Sequence, residues 1–310
     1  MKNFSVFSIN TSSEKGTIKY PQKEANITIK GIEGDAHSGT WHRQISLLSI
    51  ESIRRFEQVL GRKIEPGEFA ENITTEGINL LSCKPLDHIV GCHIELMVTQ
   101  IGKECHGEGC EIFRQVGKCI MPNEGIFAKV LREGPIKVGD SLLHQPKIFH
   151  CLVITLSDRA FFGEYSDKSG PTVTNLLEKY FTENERSYKV QNTIIPDDAQ
   201  QLKEIINQAI AEHFDLIITT GGTGIGPKDI TVDTIKPMLE KEIPGIMEYI
   251  RYKYGSQKPQ ALFSRSIAGL IKKTLIFTLP GSVKAVNEYM NEIIPQFEHL
   301  FYMLYGIDKH

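Results

Sequence analysis

Hydrophobic and polar positions alternate differently in the two halves of the chain. Up to about residue 145, short runs of β-branched and aromatic residues are interrupted by Gly and Pro, a pattern typical of β-strands. The stretch 49–60 is an exception, because Ile50, Ile53 and Phe56 follow helical spacing and Gly61 comes after it. We therefore predict a mostly-β barrel or sandwich with one helix. Its predicted strands lie near 4–9, 27–29, 44–48, 93–99, 126–131 and 136–142, with a turn at 132–135.

Beyond Pro146 the rhythm changes to continuous apolar strands that alternate with amphipathic segments. Strands without polar alternation are buried on both faces, so they indicate a parallel sheet with helices on each side. The predicted fold class is thus α/β and β: a mostly-β barrel over residues 1–146, then a three-layer α/β parallel-sheet domain over 147–310. The strands of the second domain are predicted at 151–156, 190–195, 215–220 and 274–279, and its helices at about 171–180 and 199–212, from 231, through 248 and 251, and from 282.

Charge and composition narrow the classes of function. The 310 residues carry 35 basic and 38 acidic side chains, so no bulk positive charge draws the chain to nucleic acid or anionic lipid. No apolar run approaches the roughly 18 residues of a membrane helix, and residues 1–10 lack the pattern of a signal peptide. We expect a cytoplasmic protein with neither a membrane nor a nucleic-acid partner. In a reducing compartment its six cysteines are expected to be thiols, metal ligands or catalytic groups.

Polar loops follow the predicted strands of the second domain, at the edge where ligands bind in parallel sheets. Of these, the stretch TTGGTGIGPKDITVD, residues 219–233, comes between a strand and a helix. Bare backbone N–H groups and a helix dipole at such a place favour an anion, and phosphate is the natural candidate. The four loops are Ser157-Asp158-Arg159, Pro196-Asp197-Asp198, Gly221-Gly222-Thr223-Gly224 and Pro280-Gly281-Ser282.

Two familiar phosphate motifs do not fit this glycine loop. A P-loop needs Lys and then Ser or Thr where Pro227, Lys228 and Asp229 stand, and the dinucleotide fingerprint needs a third glycine at Pro227. What remains is a glycine loop followed by Asp229 and Asp233, with Asp197 from a neighbouring strand end. This grouping suits Mg²⁺ bound to phosphate oxygens. For either aspartate alone, an N-cap role is an equally good explanation.

Several blocks of the second half resemble the molybdopterin adenylyltransferases. They are TLSDRAFFGEYSDKSGP, TTGGTGIGPKDITVD, IPGIMEYIR, ALFSRSIAG and TLPGSVKAV, and together they span residues 150–305. The resemblance implies Mg²⁺-dependent adenylyl transfer from ATP to the terminal phosphate of molybdopterin, with release of pyrophosphate. It places the catalytic, metal-binding aspartates at Asp197 and Asp229. The cofactor-binding positions it implies are Asp158, Gly221, Gly222, Thr223, Gly224, Ser264, Arg265, Pro280, Gly281 and Ser282.

Alternatives to this activity stay open. A surface ion pair is a second explanation for Arg265. Val283 stands where the family usually has Pro, which affects the expected contact of Ser282 more than the activity. The same fold occurs in molybdenum insertases, which carry further domains. An alternative from another class is a carrier or chaperone that holds molybdopterin and turns over no ATP.

The first half contains two stretches of reactive side chains. The loop before the strand at 44–48 places Asp35, His37, His42 and Arg43 together, a set suited to an anion or oxyanion. Residues 101–130 contain four potential metal or sulfur ligands, but their spacing does not match a paired CxxC zinc site. A reactive thiol at Cys105, beside Lys103 and His106, is the preferred interpretation. The four potential ligands are Cys105, His106, Cys110 and Cys119, while Cys83, Cys92 and Cys151 are predicted to be buried structural thiols.

These stretches resemble the MOSC domain, named for the C-terminal domain of molybdenum cofactor sulfurases. The matching blocks are GIEGDAHSG, RQISLLS, GEFAENITTEGINL and the segment from GKEC to GIFAKV, covering about residues 3–143. The resemblance implies a β-barrel that handles sulfur or binds the cofactor. Its characteristic cysteine best matches Cys105, and His37 and Arg43 are expected to bind the cofactor. The implied partners are a sulfur donor or a molybdenum insertase, and a homo-oligomer, trimeric or larger; the sequence distinguishes neither molybdenum from tungsten nor the recipient enzyme.

Overall fold

The computed structural model describes residues 1–103 and 119–307, which form two compact units. The first contains residues 1–147 together with 305–307, and the second contains residues 148–304. Among the described residues, none of the helices combines the length and the apolar character needed to cross a bilayer.

The first unit is a closed β-barrel. Seven of its described strands follow the order β1-β6-β5-β9-β8-β7-β11, and β11 pairs back onto β1. Closure removes the sheet edges that would otherwise be exposed. The strands are β1 Lys2–Thr11, β2 Tyr20–Gln22, β3 Glu24–Thr28, β4 Gly31–Ile32, β5 Ile45–Ser49, β6 Ile73–Glu76, β7 His88–Val90, β8 Glu95–Ile101, β9 Ile126–Arg132, β10 Gly134–Lys137 and β11 Ser141–Gln145; the helices are α1 Ile50–Leu60 and α2 Met121–Glu124, with a 3₁₀ turn at Leu80–Ser82.

The barrel core and the packing of α1 follow from strand alternation. Leu47 belongs to the buried cluster of the barrel, whereas its neighbour Leu48 packs with Ile53 of α1 in a second cluster. The helix begins where the sequence predicts, because the Ser49 hydroxyl accepts the Ser52 N–H. It ends at Gly61, whose φ of 75° few other residues adopt without cost.

The second unit is a six-stranded sheet in the order β13-β12-β14-β17-β16-β15. Its first four strands are parallel, while β16 and β15 add an antiparallel edge that the apolar pattern did not predict. The strands are β12 Ile148–Leu156, β13 Ser187–Ile195, β14 Leu216–Thr220, β15 Lys241–Glu242, β16 Ala268–Ile271 and β17 Thr274–Leu279. The helices are α3 Asp158–Phe161, α4 Ser169–Glu183, α5 Ala199–Ala211, α6 Thr231–Ile235, α7 Pro244–Gly255, α8 Val283–Ile293 and α9 Phe297–Leu304, with 3₁₀ turns at Lys236–Met238, Pro259–Phe263 and Ile294–Gln296.

Both faces of this sheet are covered, which confirms the predicted α/β class. On one face Ile154 of β12 packs with Ile206 of α5. On the other, the ring of Phe149 lies 5.2 Å from that of Phe181 in α4 and 4.8 Å from that of Phe301 in α9. The predicted mostly-β class of the first half is confirmed as well.

Two local predictions in the barrel are wrong. The predicted strand 136–142 is two strands, since the chain turns between β10 and β11 at Gly139, where φ is 89°. The predicted turn at 132–135 overlaps β10, which pairs with β3. The first error comes from treating one apolar run as one strand, and the second from reading Gly134 and Pro135 as turn residues although they pair with residues 26 and 27.

Candidate functional site

Loops from four neighbouring parallel strands meet at the carboxyl edge of the second sheet. The Gly221 N–H donates to the Leu279 carbonyl at 2.9 Å, and the Thr220 hydroxyl donates to the Pro280 carbonyl at 3.0 Å. These bonds tie the glycine loop after β14 to the loop after β17. Strand order therefore brings together segments that are 60 residues apart.

The glycine loop approaches its neighbours too closely for side chains. Gly221 has φ of 102°, and a Cβ there would lie 2.3 Å from the Leu156 carbonyl oxygen. At Gly222, φ is 62° and a Cβ would lie 2.4 Å from the Thr231 hydroxyl oxygen. Among the described residues, no hydrogen bond is made by the backbone N–H groups of Gly222, Thr223 or Gly224. The loop thus offers bare N–H groups, the feature that the sequence associates with an anion.

A cavity of about 390 Å³ opens beside this loop. Eight of the sequence-predicted site residues line it, namely Gly222, Thr223, Gly224, Asp229, Ser264, Pro280, Gly281 and Ser282. The sequence did not single out Lys258, Phe263, Lys284 or Tyr289, which also line it. The two lysines come from segments outside the glycine motif. Lys284 pairs with Glu288, which also lines the cavity, at 3.7 Å, and the positive charge of Lys258 suits an anionic ligand.

Ser264 and Arg265 are placed differently from each other. Ser264 lines the cavity, and its hydroxyl oxygen accepts the Tyr289 hydroxyl at 2.9 Å. Arg265 is absent from the lining, and its guanidinium pairs with the carboxylate of Asp233. This arrangement favours the ion-pair explanation for Arg265. It also distinguishes Asp233 from Asp229, which lines the cavity.

The helix after the glycine loop is short. It spans only Thr231–Ile235, so its dipole is smaller than the sequence pattern suggests. By contrast, α8 has 11 residues, and the Ser282 hydroxyl accepts the Ala285 N–H at its first turn. Ser282 therefore acts as an N-cap, with Val283 beginning the helix where the family usually has Pro.

Three carboxylates and one ammonium lie next to the cavity. Asp158 pairs with Lys228 at 2.5 Å, and the Asp197 N–H donates to Asp158 at 3.0 Å. Burial raises the pKa of Asp197, and the carboxylates of Asp158 and Asp229 add to the rise. The hydrogen bond from Lys228 lowers the pKa of Asp158. The excess of negative charge around Asp197 is the electrostatic setting in which a cation is stabilised.

These residues fit a magnesium ion bound together with phosphate. Mg²⁺ commonly takes one or two protein carboxylates and completes its shell with water and substrate oxygens. Asp197 and Asp229 supply two such carboxylates, and Asp229 lines the cavity. Within residues 1–103 and 119–307, no group of three or more His, Cys, Asp or Glu side chains is arranged as a protein-only metal site.

A second pocket, of about 320 Å³, lies in the barrel unit. The predicted residues His37 and Arg43 line it, together with Lys103, Trp41 and Phe127. The Arg43 guanidinium lies 5.0 Å from the Trp41 ring centre, a cation–π contact. Within the part of the chain that is described, the Arg43 Nε atom is buried and has no hydrogen-bond partner. A buried N–H without an acceptor is costly, which makes an anion in this pocket favourable.

The buried carboxylate of Asp35 anchors the loop that carries His37, one of the residues of this pocket. Its carboxylate pairs with the Lys19 ammonium at 2.6 Å and accepts the backbone N–H groups of His37 and Ser12. Burial by itself raises the pKa of an aspartate, but the hydrogen bond from His37 and the Lys19 ammonium hold the pKa of Asp35 well below its usual range. Asp35 is therefore an anchor for the loop that carries His37, and Lys19 is its partner, which the sequence did not reveal.

The cysteines separate into buried and exposed groups. Cys83 and Cys151 are buried as predicted, and burial raises the pKa of Cys83 to about 12, which suppresses its reactivity. The prediction for Cys92 is wrong, because Cys92 is exposed in the turn between β7 and β8. Cys119 is half-buried. Cys105, His106 and Cys110 lie outside the described residues, so the thiol and zinc interpretations stay predictions.

The two units define a class of protein: a β-barrel with a cationic pocket joined to a parallel α/β domain with a glycine-loop anion site. Residues 34–143 match the MOSC domain, and residues 152–299 match the probable molybdopterin binding domain. The chain belongs to the molybdopterin-binding family, here fused to a MOSC domain. This confirms both resemblances seen in the sequence.

Two curated relatives agree with this assignment, and a solved structure is also similar to this chain. Molybdenum cofactor biosynthesis protein B of Staphylococcus carnosus is 39% identical over 157 residues, covering 50% of this chain and 89% of that protein. Gephyrin of Dictyostelium discoideum is 36% identical, over 47% of this chain and 21% of its own length. The solved tungsten cofactor synthesizing protein MoaB from Pyrococcus furiosus is 34% identical, with coverages of 51% and 98% and a TM-score of 0.46. The domains and relatives support a place for the chain in molybdenum cofactor biosynthesis.

Proposed function

We propose that the second unit transfers an adenylyl group from ATP to the terminal phosphate of molybdopterin. The observation that carries the proposal is a cavity lined both by the glycine loop, with its unbonded N–H groups, and by Asp229, whose carboxylate acts electrostatically on Asp197. This arrangement combines donors for phosphate oxygens with carboxylates for a cation. Phosphoryl and nucleotidyl transfers need positioning and charge neutralisation more than covalent help from the protein.

The residues in and beside the cavity have different roles in the proposed reaction. The loop N–H groups of Gly222, Thr223 and Gly224 hold phosphate oxygens, and Lys258 and Lys284 add positive charge. Asp197 and Asp229 would hold Mg²⁺, which when bound neutralises charge on the phosphates. The pterin phosphate oxygen forms the new bond to the α-phosphorus, the bond to the β-phosphate oxygen breaks, and pyrophosphate leaves. The exposed ring of Phe263 offers a face for the planar part of a substrate.

The test uses the full chain with molybdopterin, ATP and Mg²⁺, following pyrophosphate release and the mass of the pterin product. We expect adenylylated molybdopterin from the unaltered protein and none from Asp229→Ala, which should still bind pterin. Normal turnover by Asp229→Ala would refute the catalytic assignment. Tight pterin binding without any product from the unaltered protein would instead support the carrier alternative.

For the barrel we propose a cofactor-binding role in the pocket of His37 and Arg43. Its support is the buried Arg43 Nε atom beside Trp41, in a pocket that also contains Lys103. Trp41 is the single tryptophan of the chain, so its fluorescence reports on this pocket alone. We expect molybdopterin to change the fluorescence in the unaltered protein and much less in Arg43→Met. Arg62→Met, at an exposed arginine paired with Glu68, is the control.

Sulfur handling by Cys105 is part of this proposal for the barrel. The thiolate of Cys105 would attack the outer sulfur of a donor persulfide: the new S–S bond forms, the S–S bond of the donor breaks, the donor leaves as a thiolate, and the persulfide on Cys105 adds about 32 Da. Mass spectrometry after incubation with a sulfur donor should find this adduct on Cys105 and not on the buried Cys83. Equal modification of both cysteines, or of neither, would leave the barrel with a binding role only. We also propose a cytoplasmic location, a homo-oligomer and an insertase partner.

A further inference from the structure

An ion pair connects two strand-end loops next to the cavity of the second unit. The Lys228 ammonium in the loop after β14 contacts the Asp158 carboxylate after β12 at 2.5 Å. The Lys228 side chain is 75% exposed, and the next residue, Asp229, lines the cavity. A lysine with this backbone position and this exposure can point to either side of the loop, because its four-carbon stem is flexible.

The charges around Lys228 are unbalanced. Asp158, Asp197 and Asp229 influence one another electrostatically, and Lys228 is the ammonium that acts on Asp197 within this group. Three carboxylates against one ammonium repel a polyphosphate that approaches the glycine loop. An ammonium that turned from Asp158 toward the phosphate oxygens would reduce this repulsion.

We propose that Lys228 is a polyphosphate-binding residue that exchanges partners, leaving Asp158 for the phosphates of the nucleotide. The inference rests on the proposed nucleotide site. The backbone of the loop is held by hydrogen bonds from Asp229 N–H to the Gly226 carbonyl and from Ile230 N–H to the Lys228 carbonyl, so the exchange changes side-chain torsions alone. An ion pair as exposed as this one contributes little to stability, and a polyphosphate carries more charge than one carboxylate.

The exchange also accounts for a lysine that the sequence left without a role. Lys228 is out of register for a P-loop, in which the lysine follows the last glycine directly. Here Pro227 separates it from Gly226, and the chain turns between Gly226 and Asp229. Before a ligand binds, the Lys228 ammonium therefore contacts Asp158. When Lys228 leaves, Asp158 keeps its hydrogen bond from Asp197 N–H.

The test measures binding of inorganic pyrophosphate to the full chain by calorimetry, without metal. We expect Lys228→Gln to weaken binding by about tenfold and Lys228→Arg to retain it. Lys236→Gln is the matched control, since Lys236 is also exposed and paired with one carboxylate, that of Glu242. Equal affinity in Lys228→Gln and the unaltered protein, or no binding of pyrophosphate by the unaltered protein, would overturn the proposal.

A double-mutant cycle separates exchange from simple repulsion. Asp158→Asn releases Lys228, so we expect this variant to bind pyrophosphate several-fold more tightly than the unaltered protein. When Lys228→Gln is also present, we expect Asp158→Asn to tighten binding by less than about twofold. An equal gain in both backgrounds would mean that only repulsion was removed, and the exchange would be wrong. Lys228-dependent binding by a protein that makes no adenylylated pterin would refute the proposed function and leave this inference standing.

Discussion

In the second unit the proposed phosphate donors are backbone N–H groups of the glycine loop, whereas the pocket of the barrel is lined by charged and aromatic side chains. Around the glycine loop the donors are N–H groups of consecutive residues, and the charged groups beside them are partly exposed. In the barrel, a buried Lys19–Asp35 pair supports His37, and Arg43 is packed against Trp41. The partly exposed charged side chains beside the glycine loop can change their ion-pair partners at little cost. The buried ion pair of the barrel keeps its partners, because a buried ion that loses its partner destabilises the fold strongly.

The largest expected effect tests the buried charge of the barrel. Asp35→Asn removes the carboxylate that pairs directly with the buried Lys19 ammonium, so we expect a loss of about 3–5 kcal/mol in the free energy of unfolding. Chemical denaturation measures it. Glu24→Gln is the control, since it removes a pair with Lys137 that is more than half exposed and should leave stability unchanged. Similar losses in the two variants would contradict the contrast between the units.

Next in size is the effect of Asp197 on turnover. We expect Asp197→Asn to lower the rate of adenylyl transfer by at least about 100-fold, because it removes a carboxylate proposed to hold Mg²⁺. The adjacent Asp198 caps α5 by accepting the N–H groups of Gln200 and Gln201. Since Asn caps helices as well as Asp does, Asp198→Asn should keep full activity. Equal rates in both variants would remove Asp197 from the mechanism.

The glycine loop gives an intermediate effect. Gly221→Ala combines a positive φ with a contact of 2.3 Å to a carbonyl oxygen, and we expect a loss of about 2–3 kcal/mol in stability together with weaker pyrophosphate binding. Gly163 has φ of 76° with nothing near its Cβ position, so Gly163→Ala should lose about 1 kcal/mol and bind pyrophosphate normally. Thermal unfolding and calorimetry check the pair. Loss of binding in both would point to general destabilisation.

The smallest effect is the acid dependence of the barrel. The pKa of Asp35 is lower in the folded protein than in the unfolded chain, so the unfolded chain binds more protons in acid. The contribution of the Asp35 carboxylate to the free energy of unfolding is therefore complete above the ordinary aspartate pKa and is lost as the pH falls below about 4. We expect this carboxyl to account for about 1 kcal/mol of the stability lost between pH 5 and pH 3. Lys19→Met/Asp35→Leu should show a shallower slope; an unchanged slope would refute the assignment.

The same contrast explains which features the sequence predicted. Gly221 to Gly224, the helix end at Gly61 and the apolar strands are local patterns, and the structure shows the predicted elements there. Cys92 was placed wrongly because neither β7 nor the turn after it has a strong apolar pattern. The partner of Asp35 is 16 residues away, and that of Lys228 is 70 residues away. No periodicity links such positions.

By itself, the sequence determined the division into a β half and an α/β half, and the glycine loop at a strand end. These depend on residues within a few positions of one another, whose alternation and backbone freedom are local properties. Only the tertiary structure decided that the barrel closes, that an antiparallel edge completes the second sheet, and that Lys258 and Lys284 face the glycine loop. Those features depend on strand order and long-range packing, which place Lys258 and Lys284 in the lining of the same cavity as the glycine loop although no local pattern relates them.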